Sequence, residues 1–330
     1  FKDLVVPPLA TTIWRQAQTA MITDNFVREG FSFNGLYVNL KGKEKLMMAY
    51  EFPIYNFVVG IFYKAINHNP FWGKLVSLIC SITTLIIFYK LVKSYSSKLL
   101  AFLSAAFLIF TPISVLMFTA FQPDSMGVMF VMFGVYFINK WRETYNIRTI
   151  ALVSICLLVC GLCKFPILVP YFPLFILLYF FPSGKFRVPK AAELLVITIL
   201  FVVPFIAWYL YRSNLTDPTL VGGENKMFFI GDLTRFLHLD FYIKPAMMMA
   251  IMIVCGTGFI YFLNGIRKPS TVELVLLAGI PLYYFVIPTV SDQAYYLYSI
   301  TPIIAFFMAK GAYYVSLSLQ RKRASFINYS

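Results

Sequence analysis

The 330-residue chain has few charged residues, which make up only 13% of it. About a quarter of the residues in a typical soluble domain are charged. Hydrophobic residues account for 60%, so the composition excludes an ordinary soluble domain and favours a membrane protein. Lys and Arg outnumber Asp and Glu by 28 to 14. No stretch is both polar and basic over tens of residues, however, so we expect no nucleic-acid partner.

Cysteine and histidine are also scarce, with five and two residues. Cys156, Cys160 and Cys163 share a helix face by spacing, but they lie in an apolar run and are typical of small buried residues in a membrane helix. His68 and His238 are far from them in sequence, so no zinc signature exists. The sequence predicts no metal site and no cofactor.

The chain lacks a glycine-rich phosphate-binding loop. Gly222–Gly223 is isolated and is more typical of a turn. This argues against an enzyme that uses ATP or a nucleotide sugar. Internal repeats and low-complexity segments are absent as well, and repeats would be typical of many transporters.

Apolar runs long enough for membrane helices dominate the chain. They predict an all-α, polytopic transmembrane bundle. Several runs are shorter than about 20 residues and would need support from neighbouring helices. The predicted spans are 75–94, 99–120, 123–139, 148–163, 166–182, 191–211, 245–264, 271–290 and 295–318.

Positive charges alternate from loop to loop, and this pattern predicts the topology. Loops rich in Lys and Arg face the cytoplasm, whereas Gln122–Asp124, Lys164–Phe165, 212–244 and Ser291–Gln293 belong to the other, outer side. The cytoplasmic set comprises Lys90, Lys93, Lys98, Lys140, Arg142, Arg148, Lys185, Arg187, Lys190, Arg267, Lys268, Arg321, Lys322 and Arg323, so 321–330 is a cytoplasmic basic tail and 75–320 the bundle.

Residues 1–74 are predicted to form an outer loop, with a first membrane helix preceding residue 1. Segment 51–66 is short and contains Asn56 and Lys64, so we interpret it as a re-entrant or interfacial helix. The alternative is that it crosses the membrane and one of the short spans does not.

A second helix is predicted over 14–30, with Gly30 as its stop signal and a loop from Phe31 to Tyr50. Trp14, Met21 and Ile22 lie on one face, and Arg15, Gln18 and Asn25 lie on another. That arrangement is typical of a helix lying flat on the outer leaflet.

Acidic and basic residues collect on the outer side. Glu51, Asp124 and Asp292 stand at the starts of apolar segments, where an acid either caps a helix or serves function. For Asp292 we favour the cap, and for Asp124 spacing leaves both readings open. Lys164 and Arg15 either anchor the chain at the headgroups or hold a lipid phosphate.

This combination suits sugar transfer from a lipid phosphate. Cations stabilise the anionic leaving group, and a carboxylate deprotonates the acceptor hydroxyl as a general base. The loop 212–244, with Asp217, Glu224, Asp232, Arg235 and Asp240, is either an element facing the acceptor or a plain solvated loop.

At these motifs the sequence resembles the integral-membrane glycosyltransferases of the GT-C fold, in the superfamily of dolichyl-phosphate-mannose protein mannosyltransferases and aminoarabinose transferases. The order and spacing of the motifs carry the resemblance. They are WRQAQTAMITDNFVREGF at 14–31, YEFPIYNFVVGIFYK at 50–64, WGKLVSLICS at 72–81, FQPDSM at 121–126, CKFPILVPYFP at 163–173 and YYLYSITPIIAFFMAKG at 295–311.

The resemblance implies a hexosyl- or pentosyltransferase that uses a polyprenyl-phosphate sugar and acts on a glycan, lipid or protein acceptor. It implies a multi-pass protein of a bacterial inner membrane with the active site on the outer face. By position, Glu51 and Asp124 are acidic site residues and Lys164 contacts the donor phosphate, with Arg15 as a second cation. Trp14, Gln18, Tyr295 and Tyr296 would line the cavity.

The sequence departs from the family pattern on helix 14–30. Many relatives carry their principal acid there, where this chain has Gln16 and Gln18. We therefore predict Asp124 or Glu51 as the base, with Asp24 third. The alternatives are a catalytically silent family member and a transporter or flippase.

Overall fold

A computed structural model describes residues 13–40, 44–216, 237–254, 257–287 and 293–327 of the chain. Asp292, Cys255, most of the loop 212–244 and the side chains of the basic tail 321–330 lie outside the described residues, as does everything before Ile13. The fold is helical, as predicted, apart from one short hairpin. The α-helices and strands, in chain order, are α1 Ile13–Arg28, β1 Tyr37–Leu40, β2 Glu44–Met47, α2 Ile54–Ala65, α3 Phe71–Tyr95, α4 Lys98–Phe110, α5 Pro112–Met117, α6 Asp124–Thr144, α7 Ile147–Leu168, α8 Phe172–Phe180, α9 Ala191–Ile197, α10 Val203–Leu215, α11 Asp240–Met249, α12 Thr257–Gly265, α13 Thr271–Val286 and α14 Thr301–Ile327.

The N-terminal unit consists of α1, the hairpin and α2. The loop predicted for 31–50 contains an antiparallel hairpin in which Tyr37 pairs with Met47. Leu36, Tyr37 and Val38 are all buried, and Leu36 and Val38 lie beside Phe26 of α1. Burial against α1 therefore accompanies a strand that an alternating apolar pattern did not reveal. Helix α1 ends before Gly30, which has the positive φ of 68° that favours glycine.

The buried face of α1 differs from the one predicted. Trp14 is 69% exposed, whereas Thr19, Thr23 and Asn25 are buried. Asn56 of α2 explains the difference, because its amide donates to Thr23 Oγ1 at 2.8 Å. The polar side of α1 therefore packs inward, where it finds hydrogen-bond partners that lipid cannot supply.

Helix α2 has 12 residues, or about 18 Å of helix, which is shorter than the ~30 Å hydrocarbon core of a bilayer. Tyr55 of α2 is buried, and its hydroxyl donates to the carbonyl of Gly73 in α3 at 2.7 Å. The short helix is thus packed on the start of α3, which begins at Phe71 rather than at residue 75. Its re-entrant or interfacial placement in a membrane stays a prediction.

Four described helical stretches are long and apolar enough to cross a membrane, by length and composition. These are Phe71–Tyr95, Ile147–Phe180, Ala191–Leu215 and Thr301–Gln320. The second contains two passes. Gly134 in the middle of α6 faces both Leu157 and Phe175, residues that would be about 27 Å apart in one straight helix. The chain therefore reverses between them, as predicted for Lys164–Phe165.

Two ends of the bundle follow from these contacts. At the first, which we call the site end, Gly73 of α3 faces Phe121, just before α6. At the opposite end, the hydroxyl of Tyr95 donates to Asn139, and Trp141 stacks on Tyr179. The Lys- and Arg-rich loops after α3, α6 and α8 therefore share the opposite end.

Other predicted spans depart from a regular α-helix. The span 99–120 divides at Pro112 into α4 and α5, and π-helical segments precede α10 and α12. Helices α12 and α14 touch through their backbones, because a Cβ on Gly265 would lie 1.8 Å from the carbonyl oxygen of Phe307. Such close approach between membrane helices requires a small residue.

Candidate active site

Lys164 and Asp124 form a buried ion pair at the site end of the bundle. Lys164 Nζ donates to Asp124 Oδ1 at 2.7 Å, and the two side chains are 5% and 2% exposed. The backbone of Lys164 is extended, with φ −170° and ψ 99°, which lets the chain reverse there and turns the side chain inward. The side chain does not reach toward headgroups, so the surface-anchor reading of Lys164 is wrong.

Asp124 is not the N-cap residue of α6, although it lies in the first turn, where the helix dipole favours an acid. Helix α6 begins at Asp124, its preceding cap residue is Pro123, and no side chain caps it. The carboxylate instead bonds the lysine that arrives from 40 positions further along the chain. A buried acid at this position is therefore held by a buried cation.

Arg15 and Glu51 form a second ion pair between α1 and the segment before α2. The side chain of Arg15 is 13% exposed and that of Glu51 is 21% exposed, so this pair is more accessible than the first. Glu51 is fixed from both sides through its neighbours. The amide of Phe52 donates to the carbonyl of Leu162 at 3.0 Å, and Arg212 donates to the carbonyl of Tyr50 at 2.6 Å.

Tyr295 and Tyr296 form an aromatic wall beside Lys164. The ammonium lies 4.1 Å from the ring centroid of Tyr295 and 4.7 Å from that of Tyr296, distances typical of cation–π contacts. Both tyrosines are buried in a 3₁₀-helical segment, Ala294–Ser299. The hydroxyl of Tyr283 donates to the carbonyl of Tyr296 at 3.1 Å and holds this segment in place.

The two ion pairs and the tyrosines form one electrostatic cluster. Burial alone lowers the pKa of Arg15, but Glu51, followed by Tyr295, Asp124 and Tyr296, raises it above its ordinary value. Asp124, the partner of Lys164, is thus close enough to affect the pKa of Arg15. The cluster brings together two cations and two carboxylates that are spread over about 150 positions of sequence, from Arg15 to Lys164.

Asp124 keeps one carboxylate oxygen unused. Its Oδ2 is buried and has no hydrogen-bond partner among the described residues. Leaving a buried acceptor unpaired costs about 1–3 kcal/mol, more for a charged group. The neighbouring Gln122 Oε1 is in the same state. Two acceptors at the site end are therefore left without a donor from the described residues.

Two predicted site residues, Asp24 and Trp14, are not part of this cluster, and the cavity-lining role of Gln18 stays a prediction. Asp24 follows Arg15 by nine residues, so it lies about 13 Å along α1 and on the opposite face. There its carboxylate pairs with His68 Nε2 at 2.6 Å. Trp14 is 69% exposed, which is not consistent with a cavity-lining ring, and Gln18 is half-buried.

Gln16 has a role that the sequence did not reveal. Its side chain is buried, and Oε1 accepts a hydrogen bond from the amide of Phe121 at 3.0 Å. Helix α1 is thereby tied to the turn that precedes Asp124. The sequence showed Gln16 only as a departure from the family pattern, since nothing local signals a partner 105 positions away.

The buried cysteines do not form a metal site with other ligands. Cys156, Cys160 and Cys163 are free and buried. Within the described ranges, no three His, Cys, Asp or Glu side chains are grouped so as to hold a metal ion.

Comparison with known proteins identifies the fold. Residues 51–208 match the model of the family described as dolichyl-phosphate-mannose-protein mannosyltransferase. The fold is similar to that of ArnT from Cupriavidus metallidurans, whose crystal structure was determined with bound undecaprenyl phosphate, with a TM-score of 0.61 and 10% sequence identity. The similarity covers 90% of this chain and 55% of the ArnT chain, so the chain spans little more than half the length of ArnT.

No curated protein sequence matches the chain significantly. The family match includes Glu51, Asp124 and Lys164 and leaves Arg15, Tyr295 and Tyr296 outside it. The resemblance predicted from the motifs is confirmed: the chain is a multi-pass membrane protein of the GT-C fold whose residues 51–208 carry the pattern of the dolichyl-phosphate-mannose-protein mannosyltransferases.

Proposed function

We propose that the chain is a membrane glycosyltransferase that moves a sugar from a polyprenyl-phosphate donor to an acceptor hydroxyl. The observation that carries this proposal is the buried Lys164–Asp124 pair beside Arg15 and two tyrosines. The family match and the similarity to ArnT support the same class of donor. The positive-inside pattern supports a site on the outer face of the membrane, which we propose to be a bacterial inner membrane.

Lys164 and Arg15 are the proposed ligands of the donor phosphate. A lysine ammonium has three N–H donors and a guanidinium has five, so neither cation is saturated by one carboxylate. As the sugar–phosphate bond breaks, negative charge grows on the departing phosphate. Cations already held in place stabilise that charge without reorganisation. Tyr295 and Tyr296 keep the Lys164 ammonium beside this phosphate.

Asp124 is the proposed general base. Its Oδ1 is occupied by Lys164, while Oδ2 is buried without a partner among the described residues. An acceptor hydroxyl that donates to Oδ2 would satisfy this oxygen and present its own oxygen for attack on the sugar. Glu51, paired with Arg15, is the second candidate. Asp24 is the third, although its pairing with His68 places it away from the cations.

Direct assay of the purified protein tests this proposal. The protein in detergent is supplied with polyprenyl-phosphate hexoses and pentoses and with glycan, lipid or peptide acceptors, and release of polyprenyl phosphate is measured. We expect turnover that Lys164→Gln abolishes. The matched control is Lys64→Gln, which removes an exposed lysine 4.5 Å from the Phe31 ring and should leave turnover unchanged.

Two outcomes would contradict the proposed glycosyltransferase activity. Donor binding without turnover, with every acceptor, would mark a catalytically silent protein. Movement of the intact donor between leaflets of a vesicle, without cleavage, would mark a flippase.

A further inference from the structure

A cavity of about 740 Å³ lies between α3, α6, α8, α13 and α14, away from the ion pairs. Its closed end is at Tyr171, whose hydroxyl donates to the carbonyl of Ser299 at 2.8 Å. Neither Tyr295 nor Tyr296 is among the residues that line the cavity. Along α14 the lining runs from Pro302 to Tyr314, or about 18 Å.

The cavity has an apolar interior and a polar mouth. The interior lining is made of buried side chains such as Phe88, Leu91, Val135, Leu174 and Ile303. The mouth lies at the opposite end of the bundle, where α3 ends and α13 begins. Its exposed lining residues are Tyr95, Ser96, Lys268, Pro269, Ser270 and Tyr314.

The charge at the mouth is positive. Lys310 and Glu273 line the cavity and neutralise each other, since Lys310 Nζ donates to Glu273 Oε2 at 2.7 Å. Lys268 forms no ion pair with another described side chain, and Arg267 precedes it. The end of α3 and the start of α4, at the same end of the bundle, carry the further exposed cations Lys90, Lys93 and Lys98, which do not line the cavity.

We propose that this cavity binds an anionic phospholipid from the leaflet next to the Lys- and Arg-rich loops. An acyl chain would fill the apolar interior, and the phosphate headgroup would lie at Lys268. Volumes of 300–1,000 Å³ are typical of sites for small ligands, and basic pockets between membrane helices at the cytoplasmic side are suited to anionic lipids. The site is independent of the proposed sugar transfer.

Native mass spectrometry of the detergent-purified protein tests this proposal. Phosphatidylglycerol is titrated against phosphatidylcholine, and we expect one tightly bound phosphatidylglycerol per protein. Val135→Trp fills the interior and should reduce binding at least tenfold. Ile86→Trp, at a side chain of α3 that is 51% exposed outside the cavity, is the matched control and should leave binding unchanged. Equal binding by wild type and Val135→Trp would overturn the site.

The headgroup is tested separately, because Lys268 is exposed and its change should not affect folding. Lys268→Gln should weaken the binding of phosphatidylglycerol by about fivefold and leave the binding of phosphatidylcholine unchanged. If phosphatidylglycerol binds no more tightly than phosphatidylcholine, the proposal that the site selects an anionic headgroup is wrong. Inorganic phosphate should not compete, and displacement of the lipid by phosphate at millimolar concentration would show that the mouth takes the free anion instead.

Discussion

The ammonium of Lys164 lies 2.7 Å from Oδ1 of Asp124, and this contact joins the reversal within α7 to the first turn of α6. Both side chains are nearly inaccessible to solvent. A buried ion pair contributes little net stability, but removing one partner leaves an uncompensated charge. Replacing one residue of the pair should therefore lower the free energy of unfolding more than replacing both with apolar residues.

Stability measurements should show this asymmetry. Lys164→Met is expected to lower the free energy of unfolding by about 3–5 kcal/mol, and the double variant Lys164→Met/Asp124→Leu by clearly less. Thermal unfolding in detergent measures both. Lys140→Met is the control, because Lys140 and Glu143 are exposed and 3.6 Å apart, and such pairs are worth about 0–1 kcal/mol. A double variant less stable than the single one would contradict this account.

The two acids of the site should differ in kinetics. Asp124→Asn removes the proposed base and is expected to lower kcat by about 10²- to 10⁴-fold, with donor binding still measurable. Glu51→Gln releases Arg15 and should mainly raise the KM for the donor. Steady-state assays separate these effects, with size-exclusion profiles to verify folding.

Glu29→Gln is the control for these acids, because Glu29 pairs with the exposed Lys45 at 3.6 Å. Full activity of Asp124→Asn, together with loss of kcat in Glu51→Gln, would reverse the two roles.

The ring of Tyr295, rather than its hydroxyl, should support donor binding. Tyr295→Ala removes the aromatic face near Lys164 and is expected to cost about 1–2 kcal/mol, or roughly 5- to 30-fold in donor Kd. Tyr295→Phe keeps that face and serves as the matched variant, with a Kd close to that of the wild type. Donor Kd is measured by titration in detergent. Equal losses in the two variants would assign the effect to the hydroxyl.

Gln16 should stabilise the turn before Asp124. Gln16→Ala leaves the buried amide of Phe121 without its acceptor, at an expected cost of about 1–3 kcal/mol in the free energy of unfolding. Gln18→Ala, at a half-buried position of the same helix, should cost less than about 0.5 kcal/mol. Thermal unfolding gives the melting temperatures of the two variants. Similar values would exclude a stabilising role for the hydrogen bond between Gln16 and the amide of Phe121.

Cysteine labelling tests the predicted topology. A cysteine at Lys93 should be shielded from an impermeant reagent added outside intact cells, and one at His68, which is 55% exposed, should react. Cys80, Cys156, Cys160 and Cys163 are buried and should contribute little background. Reaction at 93 but not at 68 would contradict the predicted topology and would mean that segment 51–66 crosses the membrane.

Local patterns in the sequence predicted the elements well where one physical signal dominated. An apolar stretch interrupted at Lys164–Phe165 predicted two helical segments, and the contacts of Gly134 with both of them agree. The hairpin at 37–47 and the inward polar face of α1 were missed. Both features depend on partners elsewhere in the chain, such as Asn56 for Thr23. The spacing of polar residues along a helix does not show whether that face is buried or exposed.

The sequence by itself determined the class of protein and its candidate residues, because hydropathy and charge are local properties that the lipid environment acts on directly. It could not decide which acid meets which cation. Arg15 and Glu51 are 36 positions apart and Asp124 and Lys164 are 40 apart, so these pairings depend on how the helices pack. The tertiary structure places Asp124 beside Lys164 and leaves Oδ2 of Asp124 without a partner among the described residues. It places Asp24 beside His68 instead, because Asp24 and Arg15 lie on opposite faces of α1 and cannot contact the same neighbour.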